Sequence, residues 1–396
     1  MSDWTDLENK YYMQVARRQP IVIVRGEGTR VWDEDEKEYL DFTSGWAVNT
    51  LGHCHPALVS ALEEQAHTLM QTSNQFYTVP QLKLARLLVE NSCLDRVFFC
   101  NSGAEANEGV VKLARKYGRT QRSGAYQVIT ALDSFHGRTL AMAAATGQPH
   151  YQEQWQPLSP GFINVPYDDI DAIKGATNSE TCAVMLEPVQ GEGGVNVPSP
   201  NYLKQVREWC DEQDLVMILD EVQTGIGRLG TLFGYQRFGA EPDAITLAKG
   251  LGGGVPIGAF LAKEKFCLLA PGDHGSTFGG NALTCAAASA VVDYVIQNDI
   301  PAHVSAVGQR LREGLNALES RHEFITQVRG MGLLLALQFN SDVSAQIVSL
   351  CNQEGLLLNP LRPNALRLMP PLTVTSQEVD LALERLERAL SKVTFG

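Results

Sequence analysis

The sequence predicts an α/β fold in which a mostly parallel central sheet is flanked by helices. Two observations carry this prediction. Short apolar runs of strand length recur along the middle of the chain, and helical patterns such as Tyr202–Gln213 separate them. Such alternation is typical of βαβ units, whose strands lie parallel in one sheet. The predicted strands are residues 127–131, 183–187, 215–219 and 244–248.

The two ends of the chain have a different pattern, which predicts a smaller α+β unit. Near the start, residues 30–41 are typical of a β-hairpin. The later part of the chain combines helical periodicity with short apolar runs. The expected elements there are a helix from near Asn281, strands near residues 333–337 and 356–358, and an amphipathic helix over residues 376–390 with Ser376 and Glu378 as its caps.

The global composition restricts the class of partner. The 396 residues carry a net charge of −13 without any basic run, which argues against a nucleic-acid partner. No basic and apolar leader opens the chain and no apolar span is long enough for a bilayer, so we expect a cytoplasmic protein without a membrane partner. The eight cysteines lack paired metal spacing, so we expect reduced and partly buried thiols and no metal site.

A lysine and an aspartate end two apolar runs. Lys249 follows residues 244–248 and precedes several glycines, and Asp220 follows residues 215–219. Burial at a strand end disfavours the charged form of a lysine and makes its amine a nucleophile toward carbonyls. Because the carboxyl ends of strands open into the ligand crevice, both side chains are expected to face one ligand. Pyridoxal 5′-phosphate suits this pair, since its aldehyde needs a lysine and its ring nitrogen a carboxylate.

Two further segments are suited to a phosphate group. An apolar run gives way to Ser102, Gly103 and Ala104 at the start of a helical pattern, where free backbone N–H groups can bind an anion. Small residues begin many ordinary helices, so this signal is weak by itself. Ser276 and Thr277, which glycines flank, offer either a second phosphate contact or an ordinary polar loop.

Five motifs occur together along nearly the whole chain. They are Asn101-Ser-Gly-Ala-Glu-Ala-Asn107, Phe135-His-Gly-Arg138-Thr, Glu187-Pro-Val-Gln-Gly-Glu192-Gly-Gly, Asp220-Glu-Val-Gln223 and the segment around Lys249. With these motifs the chain resembles class III pyridoxal-phosphate aminotransferases, and within that group it is most similar to acetylornithine aminotransferases. The resemblance implies transferase fold type I, with a large cofactor-binding domain over residues 56–297. It also implies a small domain made from residues 1–55 and 298–396.

The resemblance implies a role for each motif residue at the cofactor. Lys249 would bond the cofactor aldehyde and, once substrate displaces it, move a proton between substrate and cofactor. Asp220 would hold the ring nitrogen, Phe135 would stack on the ring, and Gln223 would touch the ring hydroxyl. Sharing of the site between subunits implies a homodimer at minimum. The other implied cofactor contacts are Val222, Ser102, Gly103 and Ala104, with Thr277 reaching in from the partner subunit.

Two arginines and one glutamate are implied to select the substrates. Arg138 matches a position that binds a carboxylate remote from the reacting amine, which suits a planar guanidinium group. Arg367 matches a position that binds the α-carboxylate of glutamate. When the other substrate brings no carboxylate there, Glu192 would pair with Arg367 and neutralise it. Ser276 is implied as a further substrate contact.

Trp46 departs from the pattern that the resemblance implies. Acetylornithine enzymes usually carry a small aliphatic residue here, and ornithine enzymes carry a tyrosine. A tryptophan in a pocket wall would remove volume and add a flat apolar surface; the alternative is a side chain that points into the core. We expect transfer of the δ-amine of N2-acetyl-L-ornithine to 2-oxoglutarate, as in arginine biosynthesis. Alternative donors are 4-aminobutyrate, ornithine and succinylornithine.

Three other readings of the sequence are less favourable. Residues 225–230 fit the G-x-G-x-x-G expression of a nicotinamide dehydrogenase, but the motif does not open a helix directly after a strand. The sequence His-Cys-His at residues 53–55 suggests a metal, yet adjacent residues cannot easily converge on one ion, and Pro56 indicates a helix start. A non-catalytic regulator would require an added DNA-binding module or the loss of Lys249.

Overall fold

The computed structural model describes residues 3–395. Three residues lie outside the described part of the chain, namely Met1, Ser2 and Gly396. The expectation that no leader opens the chain concerns the first two of them, and the predicted small domain includes all three. The strands are β1 (Ile23–Glu27), β2 (Arg30–Asp33), β3 (Glu38–Asp41), β4 (Arg96–Cys100), β5 (Gln127–Ala131), β6 (Phe162–Val165), β7 (Thr181–Leu186), β8 (Val216–Asp220), β9 (Ala244–Leu247), β10 (Gly258–Ala262), β11 (Ile325–Met331), β12 (Leu334–Phe339), β13 (Leu356–Leu357), β14 (Asn359–Arg362) and β15 (Ala365–Leu368).

The helices alternate with the strands through the middle of the chain and then dominate its last third. They are α1 (Asp3–Tyr11), α2 (Ser44–Ala47), α3 (Pro56–Thr68), α4 (Val79–Glu90), α5 (Gly103–Gln121), α6 (Leu140–Ala145), α7 (Pro149–Gln152), α8 (Ile170–Ala176), α9 (Tyr202–Gln213), α10 (Gly234–Phe238), α11 (Ala282–Gln297), α12 (Ile300–Glu319), α13 (Ser344–Gln353) and α14 (Ser376–Leu390). Short 3-10 turns occur at Glu153–Trp155, Lys249–Leu251 and Glu264–Phe266.

The central sheet has the strand order β4-β10-β9-β8-β7-β5-β6. Strands β9, β8, β7, β5 and β6 run parallel, and only β10 runs antiparallel to both of its neighbours, β4 and β9. Every residue of β7, β8, β9 and β10 is buried, because helices cover both faces. The prediction of a mostly parallel central sheet is therefore confirmed, and the continuous apolar runs are its buried strands.

The pairing of β8 with β9 brings the two predicted catalytic residues to one edge of the sheet. Asp220, the last residue of β8, lies opposite Thr246. Lys249 follows the end of β9 by two residues and begins a 3-10 turn. Both side chains therefore belong to the carboxyl edge of neighbouring parallel strands, where ligands bind in sheets of this kind.

Two smaller sheets flank the central one. In the first, β1, β2 and β3 form the predicted hairpin and its extension, and β13 joins β3 in parallel through Leu356 and Leu40. The second has the antiparallel order β11-β12-β15-β14. The two ends of the chain thus share a sheet. The domain boundaries after residues 55 and 297 stay a prediction.

The start of the last helix differs from the sequence-based expectation. The predicted span of α14 is confirmed, but Ser376 is not its cap. The Thr375 hydroxyl accepts from Glu378 N at 3.2 Å, and the Glu378 carboxylate accepts from Thr375 N at 2.9 Å. The partners of a reciprocal capping box lie three positions apart, and only Thr375 has that spacing to Glu378. The prediction of Ser376 was therefore wrong by one residue.

The remaining expectations concern membranes, metals and thiols. Within residues 3–395, no helix is long and apolar enough to cross a membrane. The same residues contain no group of three or more His, Cys, Asp or Glu side chains placed to hold a metal ion. His53 instead bonds Asp41, and His55 caps α3 beside Pro56. All eight cysteines are free, and five of them are buried.

Candidate active site

A cavity of about 450 Å³ opens at the carboxyl edge of β8 and β9. The first turn of α5, the segment after β5 and residues 254–257 complete its wall. Distant parts of the chain therefore contribute to one concave site, which is the usual form of a small-molecule site. The predicted site residues that line it are Ser102, Gly103, Ala104, Phe135, Arg138, Glu192, Asp220, Val222, Gln223 and Lys249.

Asp220 is buried and held by three hydrogen bonds. Its Oδ2 accepts from Asn107 Nδ2 at 2.7 Å and lies 2.8 Å from His136 Nδ1, and its Oδ1 accepts from Val222 N at 3.0 Å. Burial alone would raise the pKa of Asp220, but these bonds and the charge of His136 outweigh it, so the pKa lies below its ordinary value. The site therefore keeps an ionised carboxylate in a buried place.

Lys249 stands at a strained point of the backbone. Its φ of 40° lies in the left-handed region, where the chain leaves β9 for the 3-10 turn. Burial lowers the pKa of the Lys249 amine, and the charge of Glu192 offsets only part of that effect. A lysine with a lowered pKa offers more of the neutral amine, which is the nucleophilic form.

The first turn of α5 presents free backbone N–H groups at the cavity wall. The Ser102 hydroxyl caps the helix by accepting from Glu105 N at 3.2 Å. The N–H groups of Gly103 and Ala104 belong to the first turn, which offers them no acceptor within the helix. A Cβ on Gly103 would lie 2.9 Å from Val222 Cγ1, so the close approach of these two segments requires glycine.

The side chain of Arg367 is fully buried, and it contacts two residues of the cavity lining, Glu192 and Gln223. Its Nη2 lies 2.9 Å from Glu192 Oε1, and its Nη1 donates to Gln223 Oε1 at 3.1 Å. Asn359 Oδ1 accepts from Nε at 3.2 Å and from Nη2 at 2.8 Å. Burial would raise the pKa of Glu192, but the charges of Arg367 and Lys249 outweigh it, and the pKa is lowered overall. Glu192 is therefore ionised beside the guanidinium group.

Arg138 lies at the open side of the cavity, where its side chain is exposed. Its guanidinium carbon lies 4.2 Å from the centre of the Tyr151 ring, and its Nη2 donates to Tyr151 Oη at 3.3 Å. The Phe135 and Tyr151 rings meet edge to face at 5.7 Å. The aromatic pair supports the guanidinium group without neutralising it, so its charge stays free for an anionic ligand.

Besides Arg367, three predicted site residues lie outside the cavity lining of this single chain. The Ser276 hydroxyl accepts from Asn101 Nδ2 at 3.1 Å and from Gly279 N at 2.9 Å. Thr277, its neighbour, is exposed. The side chain of Trp46 is 57% exposed, so the alternative that it points into the core is wrong.

Comparison with known proteins decides the family. Residues 11–390 match the family model of class III aminotransferases. The chain belongs to this family. It is 51% identical over 389 residues to an acetylornithine aminotransferase of Caldanaerobacter subterraneus, covering 98% of this chain and 99% of the relative. An acetylornithine aminotransferase of Methanocaldococcus jannaschii is 48% identical over 398 residues, covering 99% and 98%.

The fold of this class III aminotransferase also agrees with a solved structure of the same type. The ornithine aminotransferase of Toxoplasma gondii ME49 superposes with a TM-score of 0.95 at 34% identity, covering 98% of this chain and 94% of the other. The prediction of fold type I is therefore confirmed. As class III aminotransferases depend on pyridoxal 5′-phosphate, the predicted cofactor is confirmed as well.

The residues of this aminotransferase fit the cofactor. Asp220 offers a buried carboxylate to a ring nitrogen, Lys249 offers an amine of lowered pKa to an aldehyde, and the first turn of α5 offers free N–H groups to a phosphate group. Within residues 3–395, three buried atoms of the cavity lining have no hydrogen-bond partner: Asn107 Oδ1, His136 Nε2 and Gln223 Nε2. Buried polar atoms are rarely left unpaired, so a polar ligand suits this lining.

Sequence reasoning gave no role to Asn107 and His136, which hold the Asp220 carboxylate of this aminotransferase. Two signals could have found them. Asn107 follows Gly103 by one helical turn, so the inner face of α5 carries both residues. His136 directly follows Phe135 in a motif that was already singled out. Their bonds to Asp220 span 113 and 84 residues, which local patterns do not reveal.

Glu187 is a third lining residue without a predicted role. Its Oε2 accepts from Phe135 N at 3.0 Å, and its Oε1 accepts from Gly191 N at 3.2 Å. It thereby joins the segment of Phe135 to the loop that carries Glu192. Burial raises the pKa of the Glu187 carboxyl to about 7.

Proposed function

We propose that this chain transfers the δ-amine of N2-acetyl-L-ornithine to 2-oxoglutarate, giving N-acetylglutamate 5-semialdehyde and glutamate. The buried pair of Arg367 and Glu192 beside the cavity of Lys249 carries this proposal. A guanidinium group that a neighbouring carboxylate can neutralise suits two substrates of different charge. The names of the relatives at 51% and 48% identity support the donor.

The residues around the cofactor have separate tasks in this proposal. When bound, pyridoxal phosphate supplies an electron sink for the bond that breaks at the substrate carbon. Lys249 would hold the cofactor through its aldehyde, and its amine, once released by the substrate, would carry the proton from and to the substrate carbon. Asp220, which His136 and Asn107 orient, would hold the proton of the ring nitrogen. The other cofactor contacts are Phe135 and Val222 at the ring, Gln223 at the ring hydroxyl, and Ser102, Gly103 and Ala104 at the phosphate.

The substrate residues act in two places. Arg138, at the open side, binds the carboxylate remote from the reacting amine, with Ser276 as a further contact. Arg367 binds the α-carboxylate of glutamate after Glu192 moves aside, and it stays paired with Glu192 when the donor brings no carboxylate there. Trp46 narrows the range of donors from the outer side of the site.

A homodimer with shared sites is part of the proposal. Thr277 is then a phosphate contact in the partner's cavity. The segment that carries the exposed Phe76 and Tyr77 adjoins it, because Gln71 Nε2 donates to Thr277 O and Asn74 Nδ2 donates to Ser276 O at 2.9 Å. An exposed apolar surface of this kind suits a subunit interface. Its exposed aromatic members are Phe76, Tyr77 and Phe278.

Hybrid dimers test this sharing. A Thr277→Glu chain places a negative charge at its partner's phosphate site, and a Lys249→Ala chain lacks the reactive amine. Mixing the two creates one site with an intact lysine and an intact Thr277. We expect the mixture to recover activity that neither parent shows. A mixture as inactive as its parents would contradict the sharing of sites.

Separate half-reactions test the donor. The holoenzyme is mixed with N-acetylornithine, succinylornithine, ornithine, 4-aminobutyrate or glutamate, and the change in cofactor absorbance is followed. We expect the highest kcat/KM among the amines with N-acetylornithine, and an intact reaction with glutamate. Faster conversion of another amine would transfer the assignment to that donor.

The proposed compartment is the cytoplasm, with which eight free thiols are consistent.

A further inference from the structure

The backbone of residues 44–47 makes a left-handed turn beside the active site. The φ angles are 48° at Ser44, 60° at Gly45, 63° at Trp46 and 65° at Ala47. Only glycine adopts this conformation readily, and L residues adopt it as single residues rather than in succession. Three non-glycine residues in one such turn therefore need support from the surrounding structure.

The Asp41 carboxylate provides that support. Its Oδ1 accepts from Thr43 N at 2.9 Å, from Thr43 Oγ1 at 2.6 Å and from Ser44 N at 3.0 Å. Its Oδ2 lies 2.9 Å from His53 Nε2. Asp41 ends β3 and is 4% exposed, so the acceptor is fixed in place at the entrance to the turn.

The turn leads directly into the cavity wall. Val48, which lines the cavity, donates its N–H to Ser44 O at 2.8 Å, so its place depends on the turn. Two residues later, Thr50 Oγ1 donates to Gly250 O at 2.8 Å, directly after Lys249. A shift of the turn would therefore move Val48 relative to the reactive lysine.

We propose that Asp41 is a positioning residue whose carboxylate holds the left-handed turn that sets Val48 in the wall of the amino-donor site. This inference rests on the proposed function, because the cavity that Val48 lines is the place where the donor binds. Asp41 itself lies outside the cavity lining and acts only through the turn. Loss of its carboxylate should weaken donor binding more than it slows the chemical step.

The test compares Asp41→Ala with Asp33→Ala in the holoenzyme. Asp33 is a matched control in the same sheet: its Oδ1 accepts from Asp35 N at 3.1 Å and from Lys37 N at 2.9 Å, and it holds a hairpin instead of a cavity wall. Two readouts are used, namely amide hydrogen exchange over residues 44–50 and the KM and kcat for the amine that the unaltered enzyme converts fastest.

We expect Asp41→Ala to speed exchange in residues 44–50 and to raise the donor KM about tenfold, with kcat within about threefold of the unaltered enzyme. Asp33→Ala should leave both readouts unchanged. If Asp41→Ala does not fold, Asp41→Asn gives the same comparison with a smaller effect. Unaltered exchange, or faster exchange with an unaltered KM, would overturn the proposal. The KM is compared as a ratio for one donor, so an incorrect donor assignment leaves this result intact.

A second substitution separates the turn from general damage. Ser44 is buried at φ 48°, and its hydroxyl has no hydrogen-bond partner within residues 3–395. Ser44→Gly should therefore make the left-handed turn easier without removing a bond. In the Asp41→Ala background it should return the donor KM at least halfway to the unaltered value. No recovery in this double variant would show that strain in the turn is not the cause.

Discussion

Glu192 Oε1 lies 2.9 Å from Arg367 Nη2, and the arginine side chain is completely buried. Gln223 and Asn359 accept further hydrogen bonds, so each nitrogen of the guanidinium group has a partner in the absence of substrate. A buried charge that loses its partner is costly, whereas a carboxylate that replaces the partner restores the pair. The α-carboxylate of glutamate is such a replacement, whereas the δ-carbon of N-acetylornithine, which carries the reacting amine, has no carboxylate to offer.

Glu192→Gln should harm the amine half-reaction more than the glutamate half-reaction. With the donor bound, Arg367 would keep an uncompensated charge, and we expect kcat/KM to fall about 30-fold, or about 2 kcal/mol. Glutamate brings its own carboxylate, so its half-reaction should change less than threefold or so. Stopped-flow measurement of each half-reaction decides this. Glu264→Gln, which removes an exposed partner of Arg96, is the control. Equal losses in both half-reactions would refute the exchange of partners.

Lys249→Ala should abolish transamination. The change removes both the amine that bonds the cofactor and the group that moves the proton, so we expect a loss of at least about 1000-fold. After borohydride reduction, mass spectrometry should find the cofactor attached to Lys249 in the unaltered enzyme and unattached in the variant. Lys263→Ala is a suitable control, because Lys263 also lies just after a strand of the central sheet but pairs with Asp243. Normal turnover in the Lys249 variant would remove the basis of the mechanism.

Arg138→Ala should raise the KM of both substrates. Its guanidinium group binds a carboxylate that takes no part in the chemistry, so kcat should change little while KM rises about tenfold. Steady-state kinetics with each substrate varied in turn measures this. Arg310→Ala breaks an exposed pair with Asp380, and such pairs contribute little, so it should leave both KM values unchanged. A KM effect on only one substrate would disagree with a shared carboxylate site.

The buried Glu187 should make stability depend on pH. Its pKa rises from 4.5 in the unfolded chain to about 7 in the fold, so the folded state holds a proton that the unfolded chain releases. Stability should therefore fall as the pH rises from about 4.5 to about 7, by at most roughly 3 kcal/mol. Glu221, whose pKa burial also raises to about 7, contributes with the same sign.

Thermal unfolding of the holoenzyme across this pH range measures the effect. Glu187→Gln removes one of the two groups, so the decline in Tm between pH 5 and pH 8 should become shallower. Glu212→Gln, on the exposed side of α9, should reproduce the unaltered profile. A Glu187→Gln profile as steep as the unaltered one would contradict the raised pKa.

The sequence by itself determined the fold class, four of the seven strands of the central sheet and the candidate reactive pair. The reason is physical: a buried parallel strand must be apolar along its whole length, and a strand end that faces a ligand carries the polar residue. Residues 127–131 and the span of α14 could thus be predicted to the residue. Lys249 and Asp220 could be named because their chemistry differs sharply from the runs that precede them.

Only the tertiary structure decided which partners those residues have. Asn107 and His136 reach Asp220 from 113 and 84 residues away, and Glu192 is 175 residues from Arg367. Hydrogen bonds of this kind form because packed elements bring the atoms together, and no local pattern encodes that distance. The left-handed turn after Asp41 is a further case. Ser44, Trp46 and Ala47 do not favour positive φ, so their conformation comes from the contacts that surround them.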